Sequence, residues 1–145
     1  RSTPLYSSAA SDVYKRQLLF SSVTVRDWEG VAYETYEVRT AFSYGKEQSI
    51  RLSLWIPPGK GPFRVLLYGD GSWLMMHDET VRQALGRGNI VAVFDRTEAA
   101  ADNSACYRRT GLYRLYPEAS FGALSAWAWA YRFFFLYFIS LLNLS

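Results

Sequence analysis

The chain of 145 residues carries 16 basic and 13 acidic side chains, a net charge of +3, and half of its residues are apolar. That apolar share excludes a disordered polymer and suits one small packed domain. Backbone binding to nucleic acid needs lysine and arginine clustered on one face, and no such cluster is visible, so a nucleic-acid partner is not expected.

The first stretch, "RSTPLYSSAASDVYKRQ" (Arg1 to Gln17), shows neither two-residue alternation nor a helical period. Back-translated, Ser7 to Gln17 fits the adapter of a transposase-based sequencing library, and Arg1 to Tyr6 fits the flow-cell primer end with its index. The expectation is a non-native, disordered leader over residues 1–17, to be left out of fold reasoning. Without Arg1, Lys15, Arg16 and Asp12 the chain keeps 13 basic and 12 acidic residues, a net charge of +1.

From Val31 the residues alternate. Tyr36, Val38, Thr40 and Phe42 share one face, with Glu37 and Arg39 between them. "SYGKEQ" (Ser43 to Gln48) carries turn chemistry, and Leu52, Leu54 and Ile56 alternate again. This predicts an antiparallel hairpin with one buried face. "PPGKGP" (Pro57 to Pro62) then interrupts the chain, because proline cannot donate to a ladder.

Beyond Pro62 the pattern changes to continuous apolar runs. "FRVLLY" (Phe63 to Tyr68) and "NIVAVFD" (Asn89 to Asp95) suit strands covered on both faces. Between them, Asp78 is a candidate cap for a helix with Val81, Ala84 and Leu85 on one side, closed by "GRG" (Gly86 to Gly88). Strand, helix, strand is a right-handed parallel βαβ unit. Arg96 to Ala119 reads mostly as loop, and a long apolar helix follows. The fold class is therefore α/β, an N-terminal hairpin leading into a parallel unit.

Reactive groups in such sheets gather at the carboxyl ends of the strands. Gly69, Asp70 and Gly71 follow the first run; a backbone N–H there could hold an oxyanion, or the segment is a plain turn. Arg96 and Glu98, with Asp95 and Asp102, follow the second run. Arg96 suits a substrate carboxylate, and the competing reading is an internal salt-bridge network that fixes a loop. His77, the single histidine, stands far from any nucleophile motif and reads as a structural or surface residue. Cys106 is the single cysteine and reads as a loop thiol. One cysteine and one histidine cannot supply the usual zinc ligands, and no phosphate loop or dinucleotide fingerprint is present, so no metal or cofactor is expected. No G-x-S-x-G occurs, so no catalytic residue is assigned.

The segments "NIVAVFDRTEAAADN", "GLYRLYP" (Gly111 to Pro117) and "FGALSAWAWA" (Phe121 to Ala130) resemble the α/β-hydrolase superfamily, particularly bacterial glucuronoyl esterase-like carbohydrate esterases. "LLYGDGSW" (Leu66 to Trp73) stands in the place of the loop before the first crossover helix, and coverage runs from about Tyr33 to Tyr131. The resemblance implies an incomplete hydrolase sheet over 18–145. It also implies a parent serine esterase acting on a uronic-acid or related glycan ester, an acetyl or short-chain ester being the near alternative. In that family the "AWAW" helix leads to a G-H-S-R-x-G-K elbow, which has no counterpart here. The chain is thus expected to lack the triad. A frame error or chimeric read end would account for the departure at residues 132–145. Half a sheet leaves an open edge and an exposed apolar helix, which predicts aggregation.

A reading from another class is a non-enzymatic interaction protein anchored through Phe121 to Leu142. That stretch is long enough to cross a bilayer and is interrupted by Arg132 alone, at a cost of about 2.5–3.5 kcal/mol.

Overall fold

The computed structural model describes residues 16–23, 30–42, 45–71 and 76–142. Five strands form one mixed sheet: β1 (Arg16–Val23), β2 (Ala32–Ala41), β3 (Glu47–Ile56), β4 (Arg64–Tyr68) and β5 (Asn89–Phe94), in the order β1-β2-β3-β5-β4. Of the expected leader, residues 1–15 lie outside the described residues, and Arg16 and Gln17 open β1. β1 pairs antiparallel with β2 across an irregularity between Phe20 and Ser22.

The hairpin forms as the alternation requires. β2 and β3 pair antiparallel from Ala32 opposite Ile56 to Ala41 opposite Glu47. Val38, Thr40 and Phe42 are buried, together with Ile50 and Leu52. On the opposite face Glu37 stands directly across from Arg51, and Glu37 also pairs with Arg39 at 3.4 Å. A face so charged stays in water, and the apolar face carries the core.

β4 and β5 are parallel neighbours, from Arg64 beside Asn89 to Tyr68 beside Val93. The helix joining them is α1 (Asp78–Gly86). Asp78 is its first helical residue and does not cap it. His77 is the N-cap and offers no side-chain hydrogen bond, so Asp78 and Glu79 act through the helix dipole instead. α1 buries Val81 and Leu85 against Val91. It lies over β5, and Leu66 of β4 remains 45% exposed. The expectation that both apolar runs are covered on both faces therefore holds for β5 and not for β4.

The segment after β5 is less loop-like than expected. It contains a 3₁₀ turn at Arg96–Glu98, another at Tyr107–Arg109, and the single turn α2 (Leu112–Leu115). An edge-on contact of Tyr107 with Tyr113, and a tilted contact of Tyr113 with Phe121, give this segment its own core.

The last element is α3 (Ala123–Leu142). Ala126, Ala130, Phe133 and Phe134 are buried at helical spacing. Ala130 packs among the sheet residues and Ala126 against the segment after β5, and Phe134 meets Phe94 with ring centroids 4.7 Å apart. The helix runs through Tyr131 and Arg132 without a break. Among the described residues no helix is long and apolar enough to cross a membrane, and within the stretch offered as an anchor Ala130, Phe133 and Phe134 pack against the sheet.

Candidate functional site

The carboxyl ends of β4 and β5 lie side by side because the strands are parallel and adjacent. Gly69 leaves β4 and Arg96 leaves β5, and the Arg96 N–H donates to the Gly69 carbonyl at 2.7 Å. Asp70 and Asp95 form a further bridge. Both glycines of the loop stand where a side chain has no room. A Cβ on Gly71 would lie 2.9 Å from the Phe94 carbonyl oxygen, and one on Gly69 would lie 2.5 Å from the Tyr131 hydroxyl oxygen. The glycines therefore permit close approach of backbone to backbone and of backbone to ring.

Arg96 is the hub. Its Nε donates to Asp70 Oδ1, and its Nη2 donates to Asp102 Oδ2 at 3.2 Å. The guanidinium also stacks on Trp127, 3.8 Å from the ring centroid. Burial alone would lower the Arg96 pKa; the bonds to Asp70 and Asp102 outweigh it and hold the pKa above its ordinary value. Trp127 is fixed in turn, its Nε1–H donating to the Ala100 carbonyl at 2.7 Å. The Arg96 Nη1 is buried with no protein partner among the described residues.

Of the five residues singled out from sequence, the fold brings Gly69, Asp70, Gly71 and Arg96 together. Glu98 faces β3 instead. It accepts from the Arg51 N–H at 2.8 Å and from Arg51 Nε at 3.0 Å. Asp95 is occupied by Thr97, through both its N–H and its hydroxyl. Two residues of the site were not read from sequence: Trp127 and Tyr131, one helical turn apart on α3. Their four-residue spacing was the available signal, and the uniformly apolar helix around them hid it. Tyr131 accepts from the Gly69 N–H at 2.9 Å. Tyr68 lies beside this cluster, and burial and then Asp70 push its pKa up.

His77 is exposed at the start of α1 and Cys106 is a free, half-buried thiol. The arrangement is a rigid floor at the end of two parallel strands, made of close-packed glycine backbone braced by an arginine and two α3 aromatics.

Such a floor, on a mixed sheet with helices on both faces, belongs to the α/β-hydrolase type of fold, and solved structures show the same likeness. A CE15 glucuronoyl esterase from Teredinibacter turnerae matches with a TM-score of 0.62 at 19% identity, over 87% of this chain and 36% of its own. A glucuronoyl esterase from Solibacter usitatus matches with 0.61 at 17%, over 86% and 42%. A promiscuous CE15 esterase from a marine bacterial metagenome matches with 0.56 at 14%, over 87% and 42%. The chain thus has a glucuronoyl esterase-like fold and spans about two fifths of the length of these proteins. No protein-family model matches it, and no curated protein does.

Proposed function

We propose that residues 18–131 are the opening part of a serine carboxylic-ester hydrolase acting on a uronic-acid ester of a carbohydrate. The observation that carries this reading is the loop Gly69–Gly71, at the carboxyl end of β4 in a fold similar to two glucuronoyl esterases and a promiscuous CE15 esterase. In a hydrolase of this type the loop supplies backbone N–H groups to the oxyanion. The serine hydroxyl attacks the ester carbonyl while a base takes its proton. The alcohol leaves, and water then releases the acid from the acyl-enzyme. No G-x-S-x-G elbow occurs in the 145 residues, so the nucleophile, base and acid are proposed to belong to the rest of the parent enzyme and this chain to be inactive on its own. Residues 1–17 are proposed to be adapter-derived, and the tail from residue 132 to be frame-shifted.

The test is the native locus. An in-frame serine elbow in the next strand-turn-helix unit after codon 131, and hydrolysis of a benzyl ester of glucuronic acid by the full product, support the reading. An uninterrupted locus with no such elbow overturns it. Hydrolysis of acetyl esters alone would move the assignment to a short-chain esterase.

A further inference from the structure

We propose that Arg96 is a positioning residue for turnover: it cancels the charge of Asp70 beside the oxyanion held by the loop Gly69–Gly71, and it does not bind substrate. The inference rests on the hydrolase reading and deepens it.

The sequence offers Arg96 to a substrate carboxylate, and the fold closes that use. Its guanidinium already serves Asp70 and Asp102, two acids for one cation, and Trp127 covers its face with the ring centroid 3.8 Å away. The side chain is 17% exposed, with Nε and Nη2 occupied and Nη1 buried. A further carboxylate would meet a cluster that is already net negative.

The loop is where this cation matters. The Gly69 N–H donates to the Tyr131 hydroxyl at 2.9 Å, and the Gly69 carbonyl accepts from the Arg96 N–H at 2.7 Å. That second bond flanks the antiparallel bridge between Asp70 and Asp95. In a bridge carried by flanking residues, the paired residues' own N–H groups point outward. The Asp70 N–H accordingly turns away from β5, and among the described residues it has no acceptor. It is the N–H of this loop left for an oxyanion.

An anion accepting from that N–H stands a few ångström from the carboxylate of the same residue. Left uncompensated, the carboxylate repels the charge that develops on the substrate and works against the donor beside it. Arg96 removes the repulsion through its Nε bond to Asp70 Oδ1. Asp102 and Trp127 hold the guanidinium in place, Trp127 being tied to the Ala100 carbonyl. Gly69 and Gly71, packed against Tyr131 and the Phe94 carbonyl, leave the backbone no room to aim the N–H elsewhere.

The test uses the full product of the native locus, with the benzyl ester of glucuronic acid as substrate and kcat read apart from KM. Arg96→Met should lower kcat about thirtyfold or more and leave KM within about twofold, the effect of one unscreened like charge near a developing anion. Arg96→Gln repeats the measurement should the methionine variant fail to fold. Adding Asp70→Asn to the neutral variant should restore kcat at least about tenfold, because the charge that needed cancelling is gone. Arg96→Lys should keep kcat within about threefold of the parent even though it is less stable, a split that a merely structural arginine does not produce. Circular dichroism at the assay temperature confirms that each variant is folded. A kcat unchanged in the neutral variants, a loss that Asp70→Asn does not relieve, a rise in KM alone, or a lysine variant as slow as the neutral ones would overturn the proposal and leave the hydrolase reading standing. A product that hydrolyses no ester would sink both.

Discussion

The backbone N–H of Gly69 and the hydroxyl of Tyr131, 62 residues apart in sequence, share a hydrogen bond of 2.9 Å. This contact ties α3 to the carboxyl end of β4, and it works because Gly69 has no side chain. Tyr131→Phe removes the acceptor and should cost about 1–2 kcal/mol. Gly69→Ala drives a methyl into the ring, 2.6 Å from its Cζ, and should cost about 1–3 kcal/mol. Adding Gly69→Ala to Tyr131→Ala should cost less than Gly69→Ala does in the parent chain, since the ring is gone. Urea denaturation of the four proteins measures this coupling; additive costs would mean the two residues do not touch.

Arg96 holds two carboxylates and a ring with one guanidinium. Arg96→Met keeps the apolar stem over Trp127 and leaves Asp70 and Asp102 without their cation. Asp102 is 43% exposed and water screens it, so the expected loss is about 1–3 kcal/mol. Arg96→Lys should recover less than half of that, because an ammonium cannot reach two acids and stack at once. Thermal unfolding of the two variants decides it, and full recovery by lysine would show that only the charge matters.

How far the fold was legible follows from these residues. The hairpin could be read because Val38, Thr40, Ile50 and Leu52 bury one face and Glu37 and Arg51 hold the other in water. The βαβ unit could be read from its two apolar runs. Coverage of β4 could not, since whether a helix lies over Leu66 depends on where α1 settles and not on the strand's own sequence. β1 went unread for a similar reason: its place is set by pairing along β2. At the site, Arg96 and Asp70 were visible as charged residues at strand ends. Trp127 and Tyr131 were not, because an aromatic on an apolar helix gives no local sign that it meets a loop from far earlier in the chain.

Gly111 gives a sharper test of the segment between β5 and α3. Its φ is +51°, and an added Cβ would lie 2.0 Å from the Ala99 carbonyl oxygen, the same oxygen that accepts from the Leu112 N–H at 2.9 Å. Backbone strain and overlap combine, so Gly111→Ala should cost more than about 3 kcal/mol and unfold the segment. Gly122, where an added methyl would meet nothing within 4 Å, is the control, and Gly122→Ala should change stability by less than about 0.5 kcal/mol. Hydrogen exchange of the Leu112 and Tyr113 amides reports the segment directly. Equal protection in both variants would refute the close approach.

Stability should fall on the alkaline side. Burial, and then the hydrogen bond that the Tyr36 hydroxyl donates to Glu34, raise the Tyr36 pKa well above its ordinary 10.0. Burial also raises Tyr68 and Tyr113, helped by Asp70 and Tyr107 respectively. Once the pH passes the unfolded value near 10.0, the unfolded chain releases these protons while the folded chain keeps them. The unfolded state then binds fewer protons, so the stabilisation is complete below that pH and is lost as the pH climbs toward the folded pKa values. Urea midpoints measured between pH 8 and about 11 should decline once the pH passes about 10, and Tyr36→Phe should flatten the decline. An unchanged slope in that variant would mean Tyr36 ionises in the folded chain as it does in the unfolded one.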